Sequence, residues 1–155
     1  MRDTLIPIVL MALVLPCLPV AAGGALAQAA PDFAVAGTDA TQVASFLKSL
    51  QSAVAVGNRL KVATLMHFPL KVWLDGEETV VASESEFQAR YSRIIDADVK
   101  KAIAEAKVES LFANQQGVMC DSGRVWFRPL PEHKNAIKIV AINDPNQPRQ
   151  NPARD

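Results

Sequence analysis

The chain has 155 residues, half of them apolar, and its 16 basic residues are matched by 16 acidic ones. That balance leaves no field strong enough to recruit nucleic acid or an anionic bilayer, so nucleic acid is set aside as a partner. Two cysteines and two histidines leave little material for a disulfide framework or a metal cage.

The first 27 residues read as a cleaved secretory signal. Arg2 opens a short charged segment, an apolar run follows from Leu5 to Val20, and Ala25-Leu26-Ala27 fits the small-x-small rule for signal peptidase. A membrane anchor needs about 18–20 unbroken apolar residues, whereas Pro7, Pro16 and Pro19 interrupt this run, so no stable anchor is expected. A lipid-modified Cys17 is the other rival, but Leu15 and Pro16 precede it where a small residue is usual. Cleavage near Ala27-Gln28 leaves about 128 residues, enough for one domain with its own core. Arg2 and Asp3 leave together, so the charge stays balanced. Cys120 is then a lone thiol, unable to form an internal disulfide, and reads as a small buried hydrophobe.

Residues 28–38 are rich in Ala, Gly and Pro and read as a flexible leader to a domain spanning 39–143. Asp39 with Gln42 forms a capping-box pattern, and Val43, Phe46, Leu47, Leu50 and Val54 follow at helical spacing. Gly57-Asn58 ends that helix, and Asn58 caps a second one carrying Leu60, Val62, Leu65 and Met66. His67-Phe68-Pro69 stops it, because proline disfavours helix at the preceding residue. Leu70–Leu74 and Thr79–Ala82 are predicted strands around an Asp75-Gly76 hairpin. Ser83 with Glu86 caps a third helix, whose face carries Phe87, Tyr91, Ile94 and Ile95. Asp96 or Asp98 caps a further turn with Val99, Ala102, Ile103 and Ala106 inward.

The period then changes. Val108–Ala113, Gly117–Cys120, Arg124–Arg128 and Ala136–Ile142 read as strands, with a tight Asp121-Ser122-Gly123 turn and a longer polar loop from Pro129 to Asn135. Helices and strands come in runs, with the strands mostly in antiparallel sequence, which argues α+β. Residues 144–155 hold three prolines and no large apolar residue, and read as a disordered tail.

The element order, with Leu111 to Met119, Gly123-Arg124-Val125-Trp126-Phe127 and Lys138 to Asn143, resembles the nuclear transport factor 2-like superfamily, the cystatin-like α+β cone. Within it the chain resembles small exported proteins of Gram-negative bacteria that share no defined activity. The resemblance implies N-terminal helices packed on a curved antiparallel sheet, and a periplasmic location. It leaves the function open, because proteins of this fold include isomerases, dehydratases, binding modules and dimeric scaffolds.

The residues carry little catalytic signature. His67 and His133 each lack a second ligand at helical or strand spacing, so no metal and no cofactor are expected. His67 reads as a helix-end residue bonded to a free carbonyl, and His133 as solvated. Acid–base chemistry in the manner of cone-fold isomerases would use Tyr91 with Asp96 or Asp98; the plainer reading makes Tyr91 a core ring and the aspartates caps. In the strand Arg124–Arg128, alternation puts Arg124, Trp126 and Arg128 on one face, and Lys71 with Trp73 repeats the basic–aromatic pairing. That face is an ordinary outer surface or an interface.

The sequence therefore points to a non-enzymatic exported module that binds a protein partner, a second copy as a homodimer, or a small apolar ligand between helices and sheet. The candidate contact residues are Arg124, Trp126, Arg128, Tyr91, Asn114 and Phe46. The alternatives are an isomerase or dehydratase, and an envelope scaffold or inhibitor-like protein.

Overall fold

A computed structural model describes residues 31–146. The signal segment and residues 147–155 of the tail lie outside the described residues. The fold is α+β: five helices pack against one face of a six-stranded mixed sheet.

The helices begin where their caps dictate. In α1 (Ala40–Ala55), Asp39 Oδ1 accepts from Gln42 N at 2.9 Å. Gln42 turns its own side chain to the Thr38 hydroxyl, so the box is half formed. The stripe Val43, Phe46, Leu47, Leu50 and Val54 is buried throughout. Gly57 takes φ 66°, which frees Asn58 to cap α2 (Arg59–Thr64) through Lys61 N at 2.9 Å. Ser83 caps α3 (Glu84–Ala89), and Asp96 rather than Asp98 caps α5 (Ala97–Glu105) through Val99 N at 2.8 Å.

The third helix is broken. Arg90, at φ −104° and ψ 9°, separates α3 from the short α4 (Tyr91–Ile94). Phe87, Tyr91, Ile94 and Ile95 are nonetheless all buried, because the break leaves their common face intact.

The strands are β1 (Met66–Leu74), β2 (Glu77–Val81), β3 (Phe112–Asn114), β4 (Gly117–Cys120), β5 (Val125–Leu130) and β6 (Ala136–Ile142). Their order is β2-β1-β6-β5-β4-β3. Every neighbouring pair is antiparallel except β1 and β6, which run parallel, so the sheet is mixed where an antiparallel one was expected. The β1–β2 turn has positive φ at both Asp75 (53°) and Gly76 (87°), the requirement of a type I′ hairpin. Gly117 has no room for a side chain: a Cβ there would sit 2.7 Å from the Phe127 carbonyl oxygen.

Several predicted boundaries move for physical reasons. Met66, expected in α2, begins β1 instead, and His67 and Phe68 follow it in the strand rather than ending a helix. Pro69 is tolerated there because the β1–β6 register shifts between Met66 and Lys71, and a bulge needs no N–H from that residue. Leu60 is exposed, while Val62 and Ala63 face the core. Residues 108–110 form a 3₁₀ turn before β3. Pro129 and Leu130 extend β5 into what reads as a loop. The leader is tied down in its second half: Asp32 caps a 3₁₀ turn whose Phe33 is buried in the core.

The core is continuous from Phe33 to Ile142 and contains no buried polar or charged residue among the described residues. Phe127, on β5, packs its ring 5.0 Å from that of Phe46 on α1 and joins sheet to helix. Truncating Phe127 to Ala leaves a cavity at that joint, and the expected loss is about 3–5 kcal/mol of unfolding free energy by urea titration. A loss under about 1 kcal/mol would mean that the joint is not a main seam of the core.

Candidate functional site

Three separate places in the described residues hold polar groups that the core does not explain. The first is a hollow of about 440 Å³ among the helices. Gln51 and Val54 come from α1, Lys100 and Ile103 from α5, and Tyr91 from α4. Tyr91 is 4% exposed, its ring lies edge-on to Phe87, and the Arg59 guanidinium sits 5.3 Å from its centroid. The Tyr91 hydroxyl is buried without a hydrogen-bond partner. Burial raises its pKa above 10.0, and the Arg59 charge offsets part of that rise. Gln51 is held in place by its amide, which donates to the carbonyls of Ile103 and Ala106 at 3.0 and 2.9 Å. The lining is mostly apolar, with Gln51 and Lys100 as its long polar side chains.

The second is a polar hollow of about 340 Å³ at the β1–β2 turn. Trp73, Arg93, Asp96, Asp98 and Arg124 line it. Asp75 pairs with Arg93, and the indole Nε1 of Trp73 is buried with no partner. Tyr91 is absent from this lining, so the fold puts Tyr91 and the two aspartates in different hollows. The Asp96 carboxylate is already engaged as a cap. An acid–base pair needs both groups within hydrogen-bond reach of one substrate atom.

The third is the outer face of the sheet. Val125 and Phe127 are fully buried and Trp126 is half-buried on the opposite side, as alternation requires. Arg124 does not join Trp126 and Arg128. It precedes β5 in a helical conformation, donates from Nε to Asp121 at 2.8 Å, and its carbonyl accepts from Asn143 N at 2.7 Å. Arg128 is exposed. The strand registers instead align Val80, Lys71, Ala141, Trp126, Met119 and Phe112 as one row across all six strands. Val80 and Phe112 are each 52% exposed. Trp126 is positioned from beneath by Gly123, where a Cβ would meet both its Nε1 and the Met119 sulfur at 3.4 Å.

The other two candidates are structural. Phe46 is a core ring, and the Asn114 side chain accepts from Gln116 N at 2.8 Å in the β3–β4 turn. Sequence spacing gave neither histidine a neighbour, yet the rings of His67 and His133 lie 5.7 Å apart. Glu132 and His133 are consecutive in sequence, but their place beside His67 carries no sequence signal until β1 is set against the β5–β6 connection. Cys120 is buried, and desolvation with the nearby Asp121 carboxylate pushes its thiol up to about 11.

No protein family, no curated protein and no solved structure matches the chain. Among the described residues, no helix is long and apolar enough to cross a membrane.

Two outcomes follow from this geometry. The Tyr91 hydroxyl has no partner to lose, so Tyr91→Phe is expected to hold or raise the melting temperature. A loss above about 1 kcal/mol in denaturant titration would reveal a partner for that hydroxyl. For Cys120 the folded state keeps a proton that the unfolded thiol sheds near its ordinary pKa of 9.0. Stability should therefore hold below pH 9.0 and fall between there and about 11, by at most about 1.4 kcal/mol per pH unit. Cys120→Ala, measured across the same range, should show a shallower fall; an identical slope would discard this origin.

Proposed function

We propose that this protein is an exported, non-enzymatic interaction module of the nuclear transport factor 2-like kind, which docks another polypeptide on the outer face of its sheet. The row Val80–Lys71–Ala141–Trp126–Met119–Phe112 carries this reading. It is the largest alignment of solvent-facing apolar side chains that the registers produce, and it spans every strand. Helices cover the other face, so the row has nothing of this chain's described residues to pack against. Trp and Met are residue types enriched at interface centres. The first candidate occupant is a second copy of the chain, since a face-to-face pair about a two-fold axis would bury the same row twice.

Helices gathered on one side of a sheet in the order β2-β1-β6-β5-β4-β3 support the superfamily reading. Arg2, the apolar run and Ala25-Leu26-Ala27 support export to the periplasm. A second reading, a small-ligand carrier, is favoured by the mostly apolar hollow among the helices beside Tyr91.

Native mass spectrometry of the purified protein, with and without Trp126→Ala, tests the docking face. The expected result is a doubled mass, with dimerisation weakened about thirtyfold by the substitution and the melting temperature little changed. A monomer at all concentrations would discard self-association. A substitution that lowers stability while leaving association intact would discard the face itself. A mass that falls by a few hundred daltons only on denaturation would support the carrier reading instead.

A further inference from the structure

We propose that His67, Glu132 and His133 form a binding site for a divalent cation of the zinc class. One ligand atom from each residue lies within 4.8 Å of the others. Ligands at about 2.1 Å from a tetrahedral ion sit roughly 3.4 Å apart, so the cluster must contract by up to about 1.4 Å. The two exposed members can supply that movement, because the terminal torsions of Glu and His are broad.

The cluster is built from two parts of the fold. His67 stands on β1, within the bulge where the register against β6 shifts. Glu132 and His133 sit on the 3₁₀ turn Pro131–His133, which leads into β6. That turn is closed by Lys134 N donating to the Pro131 carbonyl at 3.1 Å and Asn135 N donating to the Leu130 carbonyl at 2.9 Å. Pairing of β1 with β6 then sets the turn beside His67.

One member of the cluster carries an unpartnered ring nitrogen. His67 Nδ1 is buried and makes no hydrogen bond. Buried ring nitrogens are normally satisfied, and this one is out of reach of bulk water. Glu132 makes no ion pair among the described residues. Lys134 directly follows His133 and its charge opposes a metal ion, so the Glu132 carboxylate is the member that offsets it. Two imidazoles and one carboxylate select zinc, copper or nickel over magnesium and calcium, which require mostly oxygen ligands. Three protein ligands leave a fourth position for water or for an atom of a partner.

The test is zinc titration of the untagged protein by calorimetry near neutral pH, with cobalt substitution followed by visible absorption. The expected result is one equivalent per chain and the intense absorption of four-coordinate cobalt. His133→Gln and Glu132→Gln, both at exposed positions, should each weaken zinc by roughly tenfold or more, a scale reached even by outer-shell partners. Circular dichroism of both variants should match the parent. The absence of saturable zinc binding would overturn the site. Binding kept within about twofold in both variants would place the zinc elsewhere, and loss in only one would overturn the three-ligand set.

Discussion

The pairing of β6 with both β1 and β5 is the constraint on which the rest of the structure depends. The last strand in sequence lies in the middle of the sheet, parallel to the first and antiparallel to its predecessor. The two halves of the sheet are therefore not continuous until the C-terminal strand is in place. Its Ile137, Ile139 and Ile142 complete the core against the helices, and its Ala141 joins Lys71 to Trp126 in the outer row. Its approach turn brings His133 to His67. Its last residue contact, Asn143, holds the β4–β5 turn by donating from N to Arg124 and from Nδ2 to Gly123. Such long-range closure costs loop entropy before it is repaid by burial.

Against an apolar core, three buried polar atoms stand out: the Tyr91 hydroxyl, the Trp73 indole nitrogen and His67 Nδ1. Each lacks a hydrogen-bond partner, and a group in that state costs about 1–3 kcal/mol. They fall in three different places: the helical hollow, the polar hollow at the hairpin and the histidine cluster.

The edges and the face of the sheet are treated differently. At one edge, β2 is only five residues long and begins with Glu77 and Glu78; at the other, β3 has three residues. Short and charged edges resist strand-to-strand association. The outer face carries charges as well, Lys71 paired with Glu78 at 3.2 Å and Arg128 opposite Lys138, but they flank the apolar side chains of the central row rather than replace them. These edges leave side-chain packing across the face, rather than backbone pairing, as the route open to the proposed docking.

The sequence by itself determined what depends on nearest neighbours along the chain. Asp39, Asn58, Ser83 and Asp96 were legible as caps because a cap acts over three residues. The α1 stripe, the Asp75-Gly76 hairpin and the burial of Cys120 were legible for the same reason, and with them the α+β class. Tertiary structure alone decided what depends on distant partners. The local pattern of Leu60 to Met66 favours helix, yet pairing with β6 draws Met66 into a strand and leaves Leu60 exposed. Strand alternation put Arg124 beside Trp126 and Arg128, but Asp121 and Asn143 hold it back in the turn. Tyr91 and the two aspartates are neighbours in sequence and occupy separate hollows, because the helix breaks between them. His67 and His133 are remote in sequence and adjacent in space. The period of a pattern fixes which face a residue occupies; only the register of one strand against another fixes which residues meet there.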